Sequence, residues 1–386
     1  MKRRLLRLLF AFAVHFLSIS LIAQKHFNLT VVLPNGIIKE KLKVILEDGK
    51  QTQKIIGKET AQGRLLFKGD YYAMYAPLTI DYPDEGSVKG FADVFFIREK
   101  PAVISFLHTD VPDSPFKKYV LENVQDFKKE KKQMADYCSA EVRKEMDYVN
   151  KHGDKIFSGS DTAIRNYYFK VLVKDRGKKK LNYITKNLDS YYSFYVFENE
   201  IARHAILPAD SLLMVFNTFP DKFKYTDEGN YVNASLRGRL LVPQKSNAVD
   251  FVASDVNKTK VTLSQYKGKK YVLLHFWATW CTPCMKELPA LQEISTSYKE
   301  KDLQIISVAL PSSKYTDYMA TIKRHKMDWI QIYNDMDLFN KYGNQPTPRL
   351  CLIDKSGKLI YDSNEDGQRD NLQLSRLKKV IAQALN

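Results

Sequence analysis

Cysteine is scarce in this chain, with four in 386 residues. That excludes a disulfide-stapled scaffold and leaves each thiol either chemical or incidental. Acidic residues are also short, 44 against 60 Lys and Arg, giving a formal net charge of +16. Such an excess raises nucleic acid or an anionic membrane as a partner. However, the basic runs Phe127-Lys128-Lys129-Glu130-Lys131-Lys132 and Arg176-Gly177-Lys178-Lys179-Lys180 stand in no nucleic-acid motif. They read as solvated faces or loops, and no nucleic-acid partner is expected.

Long apolar runs are missing too. The best candidate, Leu8 to Ala23, is interrupted by His15 and Ser18 and falls short of the ~20 residues a membrane span needs. Behind the cationic Met1-Lys2-Arg3-Arg4-Leu5-Leu6-Arg7 it reads as a signal peptide, residues 1–23, cleaved after Ala23. No cysteine lies near that point, so a lipid anchor is not expected. The expectation is an exported, periplasmic mature chain that does not span the membrane.

Two of the four cysteines carry the chemistry. Trp280-Cys281-Thr282-Pro283-Cys284 follows the apolar run Tyr271-Val272-Leu273-Leu274-His275-Phe276-Trp277 and opens a helix-like stretch. At a helix N-terminus, unpaired N–H groups and the positive end of the dipole favour a thiolate on Cys281. Cys284, one turn further in on the same face, is placed to resolve a mixed disulfide. Pro283 needs no N–H in a first turn. A zinc site would need a second Cys/His pair, but Cys138 and Cys351 are isolated; c-type haem attachment would need His where Met285 stands. A purely structural disulfide is the alternative to a redox dithiol, and so tight a loop at a helix start favours the redox pair. No cofactor or metal is expected.

The block from Phe276 through Cys281 and Cys284 to Glu287-Leu288-Pro289 resembles the active-site block of the thioredoxin superfamily. More narrowly, it resembles the secreted thiol-disulfide oxidoreductases of the TlpA/ResA type. Asn247-Ala248-Val249-Asp250-Phe251 with Val261 to Lys269 resembles that branch's lead-in hairpin, and Thr347-Pro348-Arg349-Leu350-Cys351-Leu352-Ile353-Asp354 its cis-proline loop and following strand. The likeness covers about the last 140 residues.

The chain is long enough for two or three domains. Residues 24–110 show strand patterns broken by turn residues, as at Pro34-Asn35-Gly36 and Asp48-Gly49, and suggest a small β-sandwich. Residues 111–240 read as helical, with one long helix over Val124 to Asn150, a second capped at Ser160-Asp161, a third after Leu181 and a fourth opened by Pro208. Residues 241–247 read as a linker, and 248–386 alternate strand and helix. The fold class is therefore multi-domain: a C-terminal α/β thioredoxin-like fold with a central mixed sheet flanked by helices, after a β domain and a helical domain.

The expected chemistry is reduction or exchange of disulfides in periplasmic proteins, with Cys281 as the more exposed, attacking sulfur and Cys284 as the resolving one. The resemblance implies that Pro348, after Thr347, is cis and faces the pair, and that a membrane thiol donor recycles it. Glu287 sits where a carboxyl would move the proton of Cys284, unless it is a solvated first-turn residue. Trp277 and Trp280 should pack beside the disulfide. His275 stands where thioredoxins often carry a buried Asp, as a relay or a satisfied core residue. Cys351 reads as buried and inert, Cys138 as a lone helix-face thiol. The alternatives are a thioredoxin-fold peroxidase and a non-enzymatic ligand-binding or redox-sensing envelope protein.

Overall fold

The structure is a computed structural model that describes residues 24–47, 52–83, 90–107, 116, 118–158, 160–203, 206–241, 246–279, 281–298, 301–310, 315–342, 347–363, 370 and 372–385. The expected signal segment and the centre of the expected linker lie outside these residues. Two compact units divide at Asp126 and Phe127.

The described residues of the first unit form ten strands: β1 (Lys25–Val32), β2 (Lys43–Glu47), β3 (Thr52–Ile55), β4 (Lys58–Ala61), β5 (Arg64–Tyr71), β6 (Ala76–Tyr82), β7 (Phe91–Ile97), β8 (Ala102–Phe106), β9 (Tyr119–Glu122) and β10 (Val124–Gln125). They form two five-stranded sheets, ordered β4-β5-β1-β8-β9 and β10-β7-β6-β2-β3. Alternation explains the sandwich: Phe27, Leu29 and Val31 of one sheet and Val44, Leu46, Leu78 and Ile80 of the other are buried in one cluster, while the intervening Asn28, Thr30, Ile45 and Thr79 are only half-buried.

The second unit begins with helices α1 (Lys128–Tyr137), α2 (Ser139–Ser158), α3 (Thr162–Tyr167), α4 (Val173–Thr185), α5 (Tyr191–Val196), α6 (Ala209–Thr218), α7 (Asp221–Lys224) and α8 (Asp227–Leu241). The long helix expected from Val124 starts later and breaks once. Val124–Gln125 pair with β7, Phe127 takes a left-handed φ of 48°, and Cys138 leaves helical geometry between α1 and α2. Capping residues set two starts: Asp161 accepts the N–H of Ile164 and Ser190 that of Ser193. The aromatic density of this segment is packing. Phe194, Phe197, Phe219 and Phe223 are buried and pack against one another edge-on, tilted or, for Phe194 and Phe223, stacked, at 5.2–6.4 Å between ring centres.

The same unit continues with the hairpin β11 (Val252–Ser254) and β12 (Lys260–Thr262). Next come β13 (Tyr271–Trp277), α9 (Thr282–Ser297), β14 (Leu303–Ala309), α10 (Tyr315–Arg324), β15 (Ile330–Tyr333), α11 (Met336–Lys341), β16 (Arg349–Ile353), β17 (Leu359–Asp362) and α12 (Ser375–Leu385). The sheet order is β15-β14-β13-β16-β17, with β13, β14 and β15 parallel and β16 and β17 antiparallel to their neighbours. This is the mixed sheet of the thioredoxin-like fold.

Residues of β13 alternate between two cores. Leu273 and Trp277 join Leu288, Leu291 and Ile294 of α9 and Leu377 and Ile381 of α12; Leu274 and Phe276 join Leu338, Phe339 and Tyr342 near α11. Helix α8 packs on α11, so the helical segment lies against the second of these faces. Among the described residues no helix is long and apolar enough to cross a membrane.

Candidate active site

Strand becomes helix at Cys281. Its φ of −77° and ψ of 95° are extended, its N–H donates to Ala278 O, and Met285 N–H donates to its carbonyl, both at 3.1 Å. The N–H of Cys284 donates to Cys281 Sγ at 3.2 Å, so the sulfur occupies the capping position that Ser or Asp oxygens favour. Pro283 is the second residue of α9, where a missing N–H costs no bond. Cys281 and Cys284 are joined as a disulfide, Sγ–Sγ 1.98 Å and Cα–Cα 5.2 Å.

Exposure does not separate the two sulfurs much, contrary to the expectation for Cys281. Cys281 is 3% exposed and Cys284 0%. The difference lies in the helix: Cys281 precedes the first turn and meets its orphan N–H groups, whereas Cys284 sits inside it.

Buried positions along α9 recur at Cys284, Glu287, Leu288, Leu291 and Ile294, the three-and-four spacing of one face. Glu287 is on that face one turn beyond Cys284 and only 5% exposed, so it is not the solvated first-turn carboxylate. Keeping a carboxylate out of water carries a desolvation cost, which ties its protonation to its surroundings.

Trp277 closes β13 fully buried, 5.6 Å from the Tyr318 ring and stacked 6.1 Å from His275 at 9°. Trp280 lies outside the described residues. His275 Nδ1 is 3.0 Å from Ser307 Oγ, which also accepts Trp329 Nε1–H at 2.7 Å. Burial pushes the His275 pKa down to about 3, so the ring is neutral near pH 7. The satisfied core reading therefore holds for Nδ1. His275 Nε2, Trp277 Nε1 and Tyr318 OH have no hydrogen-bond partner among the described residues.

Thr347–Pro348 is a cis peptide. Arg349 pairs with Phe276 across β16 and β13, which brings this loop to the strand end leading through Trp277 and Ala278 to Cys281. Leu350 shares a cluster with Cys281 and Cys284. Arg349 itself is not among the residues expected from the sequence to serve the site. The residue is 3% exposed, and its guanidinium donates to Asp362 Oδ1 at 3.2 Å, to Asp362 Oδ2 at 2.7 Å and to Tyr342 O. The only signal in the sequence was a charged residue opening an otherwise apolar strand.

Cys138 and Cys351 are free and buried, and burial pushes both thiols up, Cys351 far above the usual thiol range. Cys138 is thus buried at the α1–α2 break rather than displayed on a helix face. Among the described residues no group of three or more His, Cys, Asp and Glu gathers to hold a metal ion.

The Redoxin family profile matches residues 243–381. The thiol-disulfide oxidoreductase ResA of Bacillus thuringiensis subsp. konkukian is 35% identical over 136 residues, 34% of this chain and 76% of that protein. ResA of Bacillus subtilis is 31% identical over 129 residues, 33% of this chain and 71% of that protein. The chain belongs to the ResA/TlpA-like thiol-disulfide oxidoreductases of the thioredoxin superfamily. As a ResA-like protein it is a redox enzyme. Among solved structures, the thioredoxin domain of a thiol-disulfide oxidoreductase from Bacteroides vulgatus is 26% identical, covering 36% of this chain and 99% of that one with a TM-score of 0.32. A thiol:disulfide interchange protein from Bacteroides sp. is 23% identical, covering 37% and 91% with a TM-score of 0.31.

Proposed function

We propose that this ResA-like protein is exported to the periplasm and reduces disulfides in proteins there through Cys281 and Cys284. The observation that carries the reading is the capping position of Cys281 Sγ, which places a nascent thiolate at the N-terminal end of α9 with its partner sulfur one turn away. In the reduced enzyme the Cys281 thiolate attacks one sulfur of a substrate disulfide, forming a mixed disulfide and releasing one substrate thiolate. Cys284, losing its proton toward the Glu287 carboxylate, attacks Cys281 Sγ and releases the second thiolate. The substrate gains two electrons, the enzyme ends as the Cys281–Cys284 disulfide, and a membrane thiol donor returns it to the dithiol.

Pro348 and Thr347 form the loop against which the substrate strand lies, with Trp277, Trp280 and Pro283 as supporting residues. The proposed organisation is a signal peptide over 1–23, a β domain over 24–110, a helical domain over 111–240, a linker over 241–247 and the thioredoxin-like domain over 248–386. The test is trapping. Cys284→Ser expressed in the native envelope should accumulate mixed disulfides through Cys281, and Cys281→Ser should accumulate none. Absence of adducts in both variants, with the chain recovered from the cytoplasm, would overturn the reading.

A further inference from the structure

Two arginines of the second unit hold four carbonyl or carboxylate groups: Arg349 the Asp362 carboxylate and Tyr342 O, Arg239 the carbonyls of Ala202 and Leu207. Arg349 follows Pro348 directly and is almost wholly buried. Its fork holds Asp362, the last residue of β17, through two hydrogen bonds, and its remaining arm donates to the carbonyl of Tyr342. Tyr342 caps the C-terminal end of α11 and is itself fixed, its hydroxyl donating to Val249 O at 2.9 Å. One guanidinium thus ties together the residue where the chain leaves α11 and the residue where it enters β16. Between those two points lies the segment that contains Thr347 and Pro348.

A planar fork with several fixed donors is what such a three-point tie requires; an ammonium on a flexible stem meets one acceptor at a time. Asp362 is anchored as well, its backbone carbonyl accepting Arg376 Nη2–H at 2.7 Å. The helical segment reaches the same place. Arg239 of α8 donates to Ala202 O at 3.2 Å and Leu207 O at 2.9 Å. Burial lowers its pKa to about 10, with repulsion from Arg349 adding to the shift and Asp362 opposing it. The helical segment therefore contributes a second, half-buried cation whose charge is felt by the Arg349–Asp362 pair.

We propose that Arg349 is a positioning residue for substrate docking: it holds the Thr347-Pro348 loop in place by bridging Tyr342 O and the Asp362 carboxylate. The inference rests on the reading that this loop receives the substrate strand. Among the described residues the partners of the Arg349 guanidinium are Asp362 and Tyr342 rather than Cys281 or Cys284, so its loss separates docking from chemistry.

The variant that tests this is Arg349→Lys in the full chain, which keeps a positive charge beside Asp362 and removes the fork. Dithiothreitol-driven reduction of insulin disulfides gives KM and kcat, and equilibration with glutathione gives the stability of the Cys281–Cys284 disulfide. The expected result is a KM raised about tenfold, with kcat and the glutathione equilibrium within about twofold of the parent. An unchanged KM, or a kcat and equilibrium that shift in step with KM, overturns the proposal. Hydrogen exchange over residues 342–350 supplies a readout that does not depend on turnover. Faster exchange there in Arg349→Lys supports the tie and unchanged exchange overturns it. If the parent protein reduces no insulin, the proposed function falls, and the exchange measurement still decides the part Arg349 plays.

Discussion

The backbone N–H of Cys284 donates to the sulfur of Cys281, 3.2 Å away. This bond survives reduction only if Cys281 keeps electron density on its sulfur, so it favours the thiolate on Cys281 over one on Cys284. Limited iodoacetamide at pH 7 should therefore label Cys281 at least about tenfold faster than Cys284 in the reduced protein. Peptide mapping reads the ratio. Preferential labelling of Cys284 would exchange the roles of the two sulfurs.

Glu287 is buried one turn beyond Cys284 on the same face of α9. In Glu287→Gln the shape is kept and the proton acceptor is lost. Turnover of a disulfide substrate should fall ~10²-fold, with the slow step after formation of the mixed disulfide. Stopped-flow quenching that follows the mixed disulfide checks this. A variant in which that species decays at the parent rate would reduce Glu287 to a packing residue.

The C-terminal elements were legible because each has a strong local signal. The buried run of β13, the Pro-bearing helix start at Cys281 and the Lys355-Ser356-Gly357 turn, where Gly357 takes a φ of 91°, all announce themselves in short windows. Boundaries in the helical segment were less legible. Nothing near Phe127 says that it takes a left-handed φ, or that Val124 and Gln125 pair with β7, since both depend on partners outside the window. The same limit applies at the site. Cys281 caps the helix that carries Cys284 and Glu287, so all three could be read from spacing, whereas Arg349 gains its meaning from Asp362 and Tyr342, which only the folded chain brings to it. Burial of Cys281 was missed for the same reason: its position at a helix start suggests exposure until the flanking strands are in place.

His275 makes stability depend on acidity in a defined window. Its folded pKa is about 3 against 6.5 for the free side chain, so the unfolded chain takes up a proton that the folded chain refuses. Its contribution is fully present above pH ~6.5 and is lost as pH falls from there towards ~3, by at most ~1.4 kcal/mol per pH unit. Urea unfolding from pH 7.5 to pH 4.5, followed by Trp fluorescence, should show this slope. In His275→Gln, which cannot titrate, the slope should shrink by about one proton's worth. An identical slope in both proteins would mean that the ring is not buried neutral.

Gly229 sits near the start of α8, where the helix passes very close to the preceding turn. A Cβ built there would stand 2.2 Å from Phe223 O and 2.3 Å from Lys224 O, both backbone atoms that cannot swing aside. In an open helix, replacing Gly by Ala gains about 1 kcal/mol from backbone entropy and helix propensity. Here the contact forces α7 and α8 apart, and overpacking of this kind costs ~1–3 kcal/mol. The sign of the change is therefore diagnostic. Gly229→Ala should melt several degrees below the parent, with hydrogen exchange accelerating first along α7 and the first turn of α8. A variant that melts higher than the parent would show that the α7–α8 turn is looser than this geometry.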